Sequence, residues 1–360
     1  MIPFLRQTTN LVQPTMNVAC NVYISAGTPH IYGDTLLHLL GTTQEYCREI
    51  QFNHDHGQIR SSNGEHSSNA NDRTPTAGAA VAVVHAFCDG PYDRSSFHLA
   101  GSPHLVANAV STLVTRTVEC LEEKYLTTTQ EHVEQEVGFT PHPTVGLIDH
   151  VSVLPMQEDN LEDGSYQHVN GEVAKTIGAT MQGMGIEVFY YGYAHPDEMS
   201  LATVRRDKTS FFSQSDNRTF LERRLGQATV GAPTHFTENF NIRLKSNTPK
   251  HIAQSLTRHI RERGGMGLPF VEALTLPYSN QRYEVACNLL HPTVTSAQDI
   301  IDRIQSWEYK DGDYIERSYR VGTTAEMCQK ALEMTQTEDG EQQHNQHVLE
   351  RFQGYLYQPT

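Results

Sequence analysis

The chain carries the same order of predicted strands and helices in both halves, and this repeat limits the folds open to it. In the first half, β-branched or apolar runs predict strands, and apolar residues spaced about 3.6 apart predict helices. The predicted elements are a strand at 17–25, a helix at 35–50, strands at 79–88 and 95–100, a helix at 104–126 and a strand at 145–154. The order βαββαβ is typical of a ferredoxin-like fold, in which helices cover one face of a mixed sheet.

The second half repeats this order after a short extension of the first. The extension consists of a helix near 173–184, a strand at 186–191 and a helix near 199–206. The second half has strands at 240–244, 270–276, 283–290 and 314–319, with helices that begin at Thr248 and at 297. Thr323 and Glu326 have the spacing of a capping box and predict the start of a last helix, which ends at 334.

We therefore predict an α+β fold with two ferredoxin-like lobes, whose mixed sheets pack face to face with the helices outside. A cleft between two sheets is a natural place for a ligand. The expected divisions are an N-terminal subdomain at 1–215, a C-terminal subdomain at 216–336 and a polar tail at 337–360.

One long polar stretch interrupts the first lobe. Residues 53–75 are rich in His, Asn, Ser, Gly and Asp and lack apolar periodicity, which predicts a flexible insertion. The stretch contains His54, Asp55 and His56, but no further ligand set follows at usable spacing, so no metal site is predicted. Polar residues at 157–164 and 338–346 are interpreted in the same way as solvated segments.

Composition excludes several classes of protein. No run among the 360 residues approaches a membrane span, and the N-terminus lacks a charged segment followed by an apolar one, so we expect a cytosolic protein. The six cysteines are scattered without a Cys-x-x-Cys pair, which indicates neither a disulfide framework nor a zinc site. A net charge of −15 argues against nonspecific nucleic-acid binding, and an anionic ligand would need a local basic patch.

A histidine between two prolines stands where a loop enters the predicted strand at 145–154. Pro143 disfavours the α region for His142, and Pro141 fixes its own φ, so the imidazole is held on stiff, extended backbone. Such a residue is either a solvated loop histidine or a carrier of protons. Asp149 follows after about 23 Å of extended strand, so we expect it to be hydrogen-bonded elsewhere rather than paired with His142.

Five stretches between about 17 and 334 resemble the formiminotransferase domain, the N-terminal part of formimidoyltransferase-cyclodeaminase and its stand-alone relatives. Residues 141–149, Pro-His-Pro-Thr-Val-Gly-Leu-Ile-Asp, resemble the family's Glu-His-Pro-Arg-Met-Gly-Ala-Leu-Asp, whose histidine is the catalytic acid/base. The other stretches are Gly-Pro, Asp-Arg and Leu-Ala-Gly within 90–101, residues 188–192 with Leu-Ala-Thr-Val-Arg at 201–205, Ala-Thr-Val at 228–230 with Asn-Phe-Asn-Ile at 239–242, and Asn-Leu-Leu at 288–290 with Val-Thr at 294–295.

The chain also departs from the family pattern. Residues 19–27 are Ala-Cys-Asn-Val-Tyr-Ile-Ser-Ala-Gly where the family has Glu-Cys-Val-Pro-Asn-Phe-Ser-Glu-Gly, so both acidic groups and the asparagine are replaced. Pro141 and Thr144 stand where the family has a glutamate and an arginine beside the histidine.

The resemblance implies transfer of a formimidoyl group from N-formimidoyl-L-glutamate to N5 of tetrahydrofolate, a step of histidine degradation that supplies one-carbon metabolism. Tetrahydrofolate would be a co-substrate, and His142 would take the proton from N5 and deliver it to the departing nitrogen. A homodimer is a family expectation. The alternative is a catalytically impaired folate-binding or interaction protein on the same scaffold.

Other candidate site residues are basic or carry amides. Arg94 could clamp a substrate carboxylate through its planar guanidinium, and Arg205 and Lys208 could attract the folate tail. For Lys208, ordinary surface charge at a helix end is an open alternative. Asn239 and Asn241 stand two apart in a strand, so both face one side and could hydrogen-bond the pterin edge. A structural role at a turn or sheet edge is an open alternative for Asn239.

Overall fold

The computed structural model describes residues 16–61, 80–127, 142–157, 165–211, 225–263, 267–307 and 313–357. Within these residues two sheets and their covering helices form an α+β fold, as predicted. The strands are β1 (Val18–Ile24), β2 (Val81–Asp89), β3 (Arg94–Gly101), β4 (Ile148–Pro155), β5 (Glu187–Gly192), β6 (Gln227–Ala232), β7 (Glu238–Leu244), β8 (Val271–Tyr278), β9 (Arg282–Leu289) and β10 (Ile315–Arg320). The helices are α1 (Pro29–Ser61), α2 (Pro103–Thr127), α3 (Ser165–Gly183), α4 (Leu201–Asp207), α5 (Lys250–Ile260), α6 (Ala297–Gln305), α7 (Ala325–Met334) and α8 (Glu338–Tyr357).

The two sheets repeat one topology. The first has the order β2-β3-β1-β4-β6-β5 and the second the order β10-β7-β9-β8. In each, the first and third strands of a βαββαβ unit lie side by side in the centre, with the second and fourth strands outside them, which confirms the predicted ferredoxin-like lobes. Strands β5 and β6 extend the first sheet in parallel with β4. Because β6 begins at Gln227, the first sheet reaches past the expected division at 215.

The two faces of the first sheet differ in chemistry. Along β1, Val18, Cys20 and Val22 point into a core that α1, α2 and α3 cover, whereas Asn21 and Tyr23 point to the opposite face. A smaller core lies between the second sheet and the helices α5 and α6. The polar faces of the two sheets face each other, as predicted, and the region between them is the cleft.

Direct contacts join the two polar faces. The hydroxyl of Tyr23 donates to Oδ1 of Asn239 at 2.5 Å, and the rings of Phe87 and Tyr319 stack with centroids 6.2 Å apart. Helix α7 packs on the cleft face of the first sheet. Its Leu332 belongs to one buried cluster with Ala19 and other small residues of that face, so α7 closes one end of the cleft.

The C-terminal stretch differs from the expected polar tail, because residues 338–357 form helix α8. Its buried residues are spaced four apart, at His344, Val348, Phe352 and Leu356, and this narrow stripe packs on α1 and β2. One buried position in each turn gives only a weak helical periodicity in a polar sequence, so the sequence did not predict this helix.

Two smaller expectations also change. Thr324, not Thr323, caps α7, because its hydroxyl accepts from the backbone N–H of Met327. Helix α1 continues to Ser61, so the expected insertion at 53–75 begins as helix. Residues 62–75 and the side chains of the His54 triplet lie outside the described residues. None of the helices in the described ranges is long and apolar enough to cross a bilayer.

Replacing Phe352 with alanine should destabilise the fold if α8 belongs to the core. The ring is 0% exposed and lies 5.8 Å from that of Phe97, so its loss should cost about 3–5 kcal/mol of unfolding free energy in urea titration. The matched control is Tyr357→Ala near the end of the same helix, where a ring 63% exposed should matter by less than about 0.5 kcal/mol. Equal effects of the two variants would show that α8 is not packed as described.

Candidate functional site

The segment that carries His142 is a loop and not the start of a strand. Strand β4 begins at Ile148, and the preceding residues are held from both sides: the hydroxyl of Ser25 donates to the carbonyl of Gly146 at 2.7 Å, and Gly146 bridges to Gly226. A Cβ at Gly146 would overlap the backbone of the facing segment, so this close approach requires glycine. The predicted strand start at 145 is therefore wrong, and so is the distance of about 23 Å between His142 and Asp149 that followed from it.

A turn between β2 and β3 presents Arg94. Asp93 adopts a positive φ of 51°, and its carboxylate accepts from the backbone N–H groups of Gly27 and Thr28 at 2.9 and 2.7 Å. The hydroxyl of Thr28 donates to the same oxygen. These bonds fix the turn against the loop after β1, so Arg94 enters the cleft from a rigid support.

Asp149 is the centre of a buried charge cluster. Its Oδ2 accepts from Nη2 of Arg94 at 2.5 Å and from Nη2 of Arg205 at 3.0 Å, while its Oδ1 accepts from the N–H of Val145 at 2.9 Å. Burial alone would raise the pKa of Asp149, but the two guanidinium groups and their hydrogen bonds hold it well below its ordinary value. The carboxylate is 0% exposed and stays ionised because it has these partners.

Arg94 also reaches His142. Nδ1 of the imidazole lies 2.7 Å from Nη1 of Arg94 and 2.7 Å from the carbonyl oxygen of Pro143. The guanidinium can only donate, and the carbonyl can only accept, so the two contacts call for opposite tautomers. With Nδ1 accepting from Arg94, the proton of the neutral ring sits on Nε2. With Nδ1 donating to Pro143, Nε2 has a free lone pair.

The imidazole of His142 is held neutral. Burial first, and the charge of Arg94 second, lower the pKa of His142 to about 3. Aromatic rings shield it, with the centroids of Tyr92 and Phe211 at 5.5 and 6.3 Å. In this arrangement the pKa of His142 lies well below the neutral range that suits a proton carrier.

The groups in direct contact within the cluster carry a net positive charge. Two guanidinium groups contact one carboxylate, in a chain whose net charge is −15, and Glu272 lies within electrostatic range of Arg205. Nε of Arg205 is buried and has no hydrogen-bond partner within the described ranges, and the guanidinium lies 4.3 Å from the ring centroid of Phe211. The site can accept an anion without further protonation.

The two predicted asparagines face the cleft from the second sheet. Asn239 accepts from Tyr23 and donates to Asn288 at 2.8 Å, and Asn241 donates to Glu284 at 3.3 Å. Lys208 is exposed and ends α4, where its backbone N–H donates to Val204. The structure thus brings His142, Arg94 and Arg205 together, places the asparagines opposite them, and leaves Lys208 outside the cluster.

A polar network on the first sheet was missed by sequence reasoning. His98 lies between Ser96, at 2.9 Å, and Asn21, at 2.7 Å, and its ring meets the edge of Tyr23. His150 stacks on Tyr23 with centroids 5.6 Å apart. The sequence does contain a signal for this network, because its polar residues alternate with apolar ones in the strands. The prediction used only the apolar positions of that alternation.

A cavity of about 620 Å³ lies at another part of the molecule, where the two lobes meet α7. Its lining includes His235, His291, Arg320 and Lys330 and none of the cluster around Asp149. The positive charge of Arg320 is paired with Glu238 at 2.8 Å. We place the candidate site at the Asp149 cluster, because that is where ionised and proton-carrying groups converge.

The fold and the cluster define a two-lobed α+β protein in which two arginines, a carboxylate and a neutral histidine are buried beside the cleft. Residues 62–237 match the formiminotransferase domain, N-terminal subdomain, which is the family that the sequence resembles. The chain is also 24% identical over 263 residues to a formiminotransferase cyclodeaminase-like protein of Arabidopsis thaliana, a match that covers 68% of this chain and 84% of that protein.

Similarity to solved structures is weak. Pitrilysin matches with 10% identity and a TM-score of 0.23, over 95% of this chain and 41% of the other. The periplasmic protease PqqL from Escherichia coli matches with 9% identity and a TM-score of 0.18, over 96% of this chain and 37% of the other. This chain therefore spans less than half of either protease, and scores this low do not indicate a shared fold.

Replacing Asp149 with asparagine should strongly destabilise the protein, because Arg94 and Arg205 would be left buried without a counter-ion. We expect a loss of about 3–5 kcal/mol of unfolding free energy, measured by urea titration at neutral pH. The control is Glu172→Gln, which removes an exposed carboxylate 2.9 Å from Lys175 and should change stability by less than about 0.5 kcal/mol. Similar losses for both variants would contradict a buried cluster.

The buried histidines should make the fold sensitive to acid. Burial lowers the pKa of His85, His98, His142 and His150, whereas in the unfolded chain each titrates near about 6.5. The unfolded state therefore binds more protons below that pH, so the stability is fully present above about pH 6.5 and is lost as the pH falls. Each histidine should remove about 1.4 kcal/mol per pH unit.

Urea titrations at about pH 7.5 and about pH 5.5 measure this loss. His98→Gln should reduce the slope of the unfolding free energy against pH by the equivalent of close to one proton. The side chain of His168 is 78% exposed, so His168→Gln should not change this slope. A wild-type stability that is equal at the two pH values would show that these histidines are not held neutral.

Proposed function

We propose that this chain is a folate-dependent glutamate formimidoyltransferase-like protein, which transfers a formimidoyl group from N-formimidoyl-L-glutamate to N5 of tetrahydrofolate with His142 as acid/base. One observation carries the proposal: Arg94 contacts the carboxylate of Asp149 and Nδ1 of His142 at once. An anion that engages Arg94 therefore also changes the state of His142. The match of residues 62–237 to the formiminotransferase domain, N-terminal subdomain, supports this reaction class.

The donor substrate is a dicarboxylate, and the cluster has the charge to bind it. A substrate carboxylate can take a two-pronged hydrogen bond from a guanidinium group, which is the geometry that arginine favours. Arg205 has its Nε–H still unused within the described residues, and Arg94 shares Asp149 with it. In this proposal the two arginines orient the donor, and Asp149 holds them in place.

Substrate binding would convert His142 into a base. When Arg94 turns toward the substrate carboxylate, Nδ1 is free to donate to the carbonyl of Pro143, which already lies at 2.7 Å. The lone pair then resides on Nε2. The bound carboxylate also offsets the charge of Arg94, so we expect the pKa of His142 to rise from its low ligand-free value toward neutrality.

The transfer then needs one proton to move twice. The N5 lone pair forms a bond to the imino carbon of the protonated amidine, the C=N π pair moves onto the imino nitrogen, and the N5 proton passes to Nε2 of His142. The imino nitrogen then re-forms the double bond to carbon, the bond from that carbon to the glutamate nitrogen breaks, and Nε2 returns the proton to the departing amine. The imidazole is neutral again at the end, so one histidine serves both steps.

Folate would occupy the cleft between the sheets. Asn239 and Asn241 face this space from the second sheet and are our candidates for the pterin edge, while Lys208 is exposed and could meet only the outer part of the folate tail. A cytosolic location, a homodimer and a role in histidine degradation stay predictions.

A second candidate function is folate binding without turnover. It is favoured by the bond from Tyr23 to Asn239, which crosses the cleft at a position where the family pattern has the shorter asparagine. Calorimetry with tetrahydrofolate separates the possibilities. Binding without transfer supports this second function, and the absence of both heat and thermal stabilisation contradicts both folate-dependent functions.

Removing the imidazole of His142 should abolish most of the transfer. In a steady-state assay with tetrahydrofolate and either formimidoyl- or formyl-glutamate, His142→Ala should reduce kcat about 10²- to 10⁴-fold. His168→Ala on the surface of α3 is the control and should retain wild-type kcat. An active wild type with an equally active His142→Ala variant would show that His142 is not the acid/base.

A further inference from the structure

A second group of buried side chains joins the two sheets at the end of β2. The hydroxyl of Tyr319 lies between two carboxyl groups, 3.4 Å from Oδ2 of Asp89 and 2.8 Å from Oε1 of Glu284. Asp89 belongs to the first sheet, and Glu284 and Tyr319 belong to the second. The hydroxyl of Tyr278, also of the second sheet, lies 3.3 Å from Oδ1 of Asp89.

A count of protons assigns the charge state of this group. The hydroxyl of Tyr319 has one hydrogen and donates it over the shorter distance, to Glu284. Its contact with Asp89 is then a hydrogen bond only if Asp89 supplies a proton. With a proton on Asp89, the chain runs from Asp89 to Tyr319 and from Tyr319 to Glu284, which also accepts from Nε of Arg243 at 3.0 Å.

The surrounding charges are consistent with a single negative charge shared by Asp89 and Glu284, the carboxyl pair. Arg243 is the cation in contact with Glu284, and its guanidinium also lies 3.9 Å from the ring centroid of Tyr278. Arg317 lies 5.3 Å from the ring centroid of Tyr319. On the first sheet, the N–H of Tyr92 donates to Asp89 at 3.2 Å.

The other acid of this turn, Asp93, faces the loop after β1. Burial first, and the neighbouring Glu284 second, raise the pKa of Asp89 to about 7. The pKa of Glu284 is raised as well, chiefly by burial.

The pair is connected to the candidate site by two side chains. Asn241 donates to Oε2 of Glu284 at 3.3 Å, which fixes the amide that we assign to the folate. The ring of Tyr92 packs on Tyr278 at 5.0 Å and forms a T-shaped contact with His142 at 5.5 Å. A change in the protonation of Asp89 and Glu284 therefore affects side chains on both sides of the cleft.

We propose that Asp89 and Glu284 are positioning residues that share one proton across the two sheets, and that this proton holds the cleft closed over the His142 cluster. When the proton leaves, two carboxylates flank Tyr319 with one adjacent arginine, and the second sheet separates from the end of β2. The effect on substrate binding rests on the proposed function, whereas the sharing of the proton does not.

Infrared spectroscopy of the full chain tests the shared proton directly. In the wild type we expect the C=O stretching band of a protonated carboxyl at about pH 6, lost in a single step near pH 7. Asp89→Asn keeps the shape and an N–H donor for Tyr319, so it should lack the band. Asp313→Asn, at a side chain 78% exposed, should keep it. Absence of the band in the wild type would overturn the proposal.

Thermal unfolding provides a second measurement. Because the folded-state pKa of Asp89 is raised, the folded state binds the extra proton, and this contribution to stability is lost as the pH rises through about 7. The buried histidines increase stability over the same range, so the unfolding midpoint should rise less between about pH 6 and about pH 8.5 in the wild type than in Asp89→Asn. Glu284→Gln removes the second carboxyl and should move the loss to lower pH. The same pH dependence of the midpoint in the wild type and Asp89→Asn would overturn the proposal.

Kinetics separate this inference from the proposed function. If transfer occurs, the KM for tetrahydrofolate should increase with pH in the wild type and not in Asp89→Asn, with kcat changing in parallel in both. The same pH dependence of KM in both would contradict the link to the cleft. A wild type that binds tetrahydrofolate but transfers nothing would contradict the proposed function alone, and the infrared and thermal results would still decide the shared proton.

Discussion

The buried ion cluster around Asp149 is the interaction on which the cleft depends. One carboxylate holds Arg94 from β3 and Arg205 from α4, and it also fixes the loop that carries His142 through the N–H of Val145. Three separate parts of the first lobe are therefore held by the carboxylate of Asp149. The cost of burying these charges is large unless each has its partners, so the cluster tolerates little change in geometry.

The cluster also explains why His142 is neutral without a ligand. The imidazole is buried beside a guanidinium group, which disfavours a second positive charge on the ring. Arg94 also contacts Nδ1 at 2.7 Å, and this contact favours the tautomer whose proton is on Nε2. In the proposed function, an anion binds to the arginines first and proton transfer by His142 follows. The two sheets are joined beside it by Tyr23 and Asn239 and, at the end of β2, by Asp89 and Tyr319.

The sequence predicted those parts of the fold that depend on local periodicity. Strands such as β1 and helices such as α2 follow from alternation and apolar spacing, and their order was enough to predict two ferredoxin-like lobes. The approach of Asp149 to His142 was not predictable in this way, because it depends on the Gly146 bridge to a strand about 80 residues away. Helix α8 was missed because Phe352 and its partners occupy one narrow stripe. The family resemblance identified His142 and Arg94 but gave no sign that Asp149 connects them.

Nitrogen NMR of histidine-labelled protein tests the central claim most directly, because it reports the charge and the tautomer of His142 in the folded chain. His142→Gln identifies the signal. The account predicts a neutral imidazole down to about pH 4, since its pKa lies at about 3, and a shift of the proton between the ring nitrogens when N-formimidoyl-L-glutamate is added. A His142 signal that titrates near about pH 6.5 would contradict it, because Arg94 would then not control the imidazole.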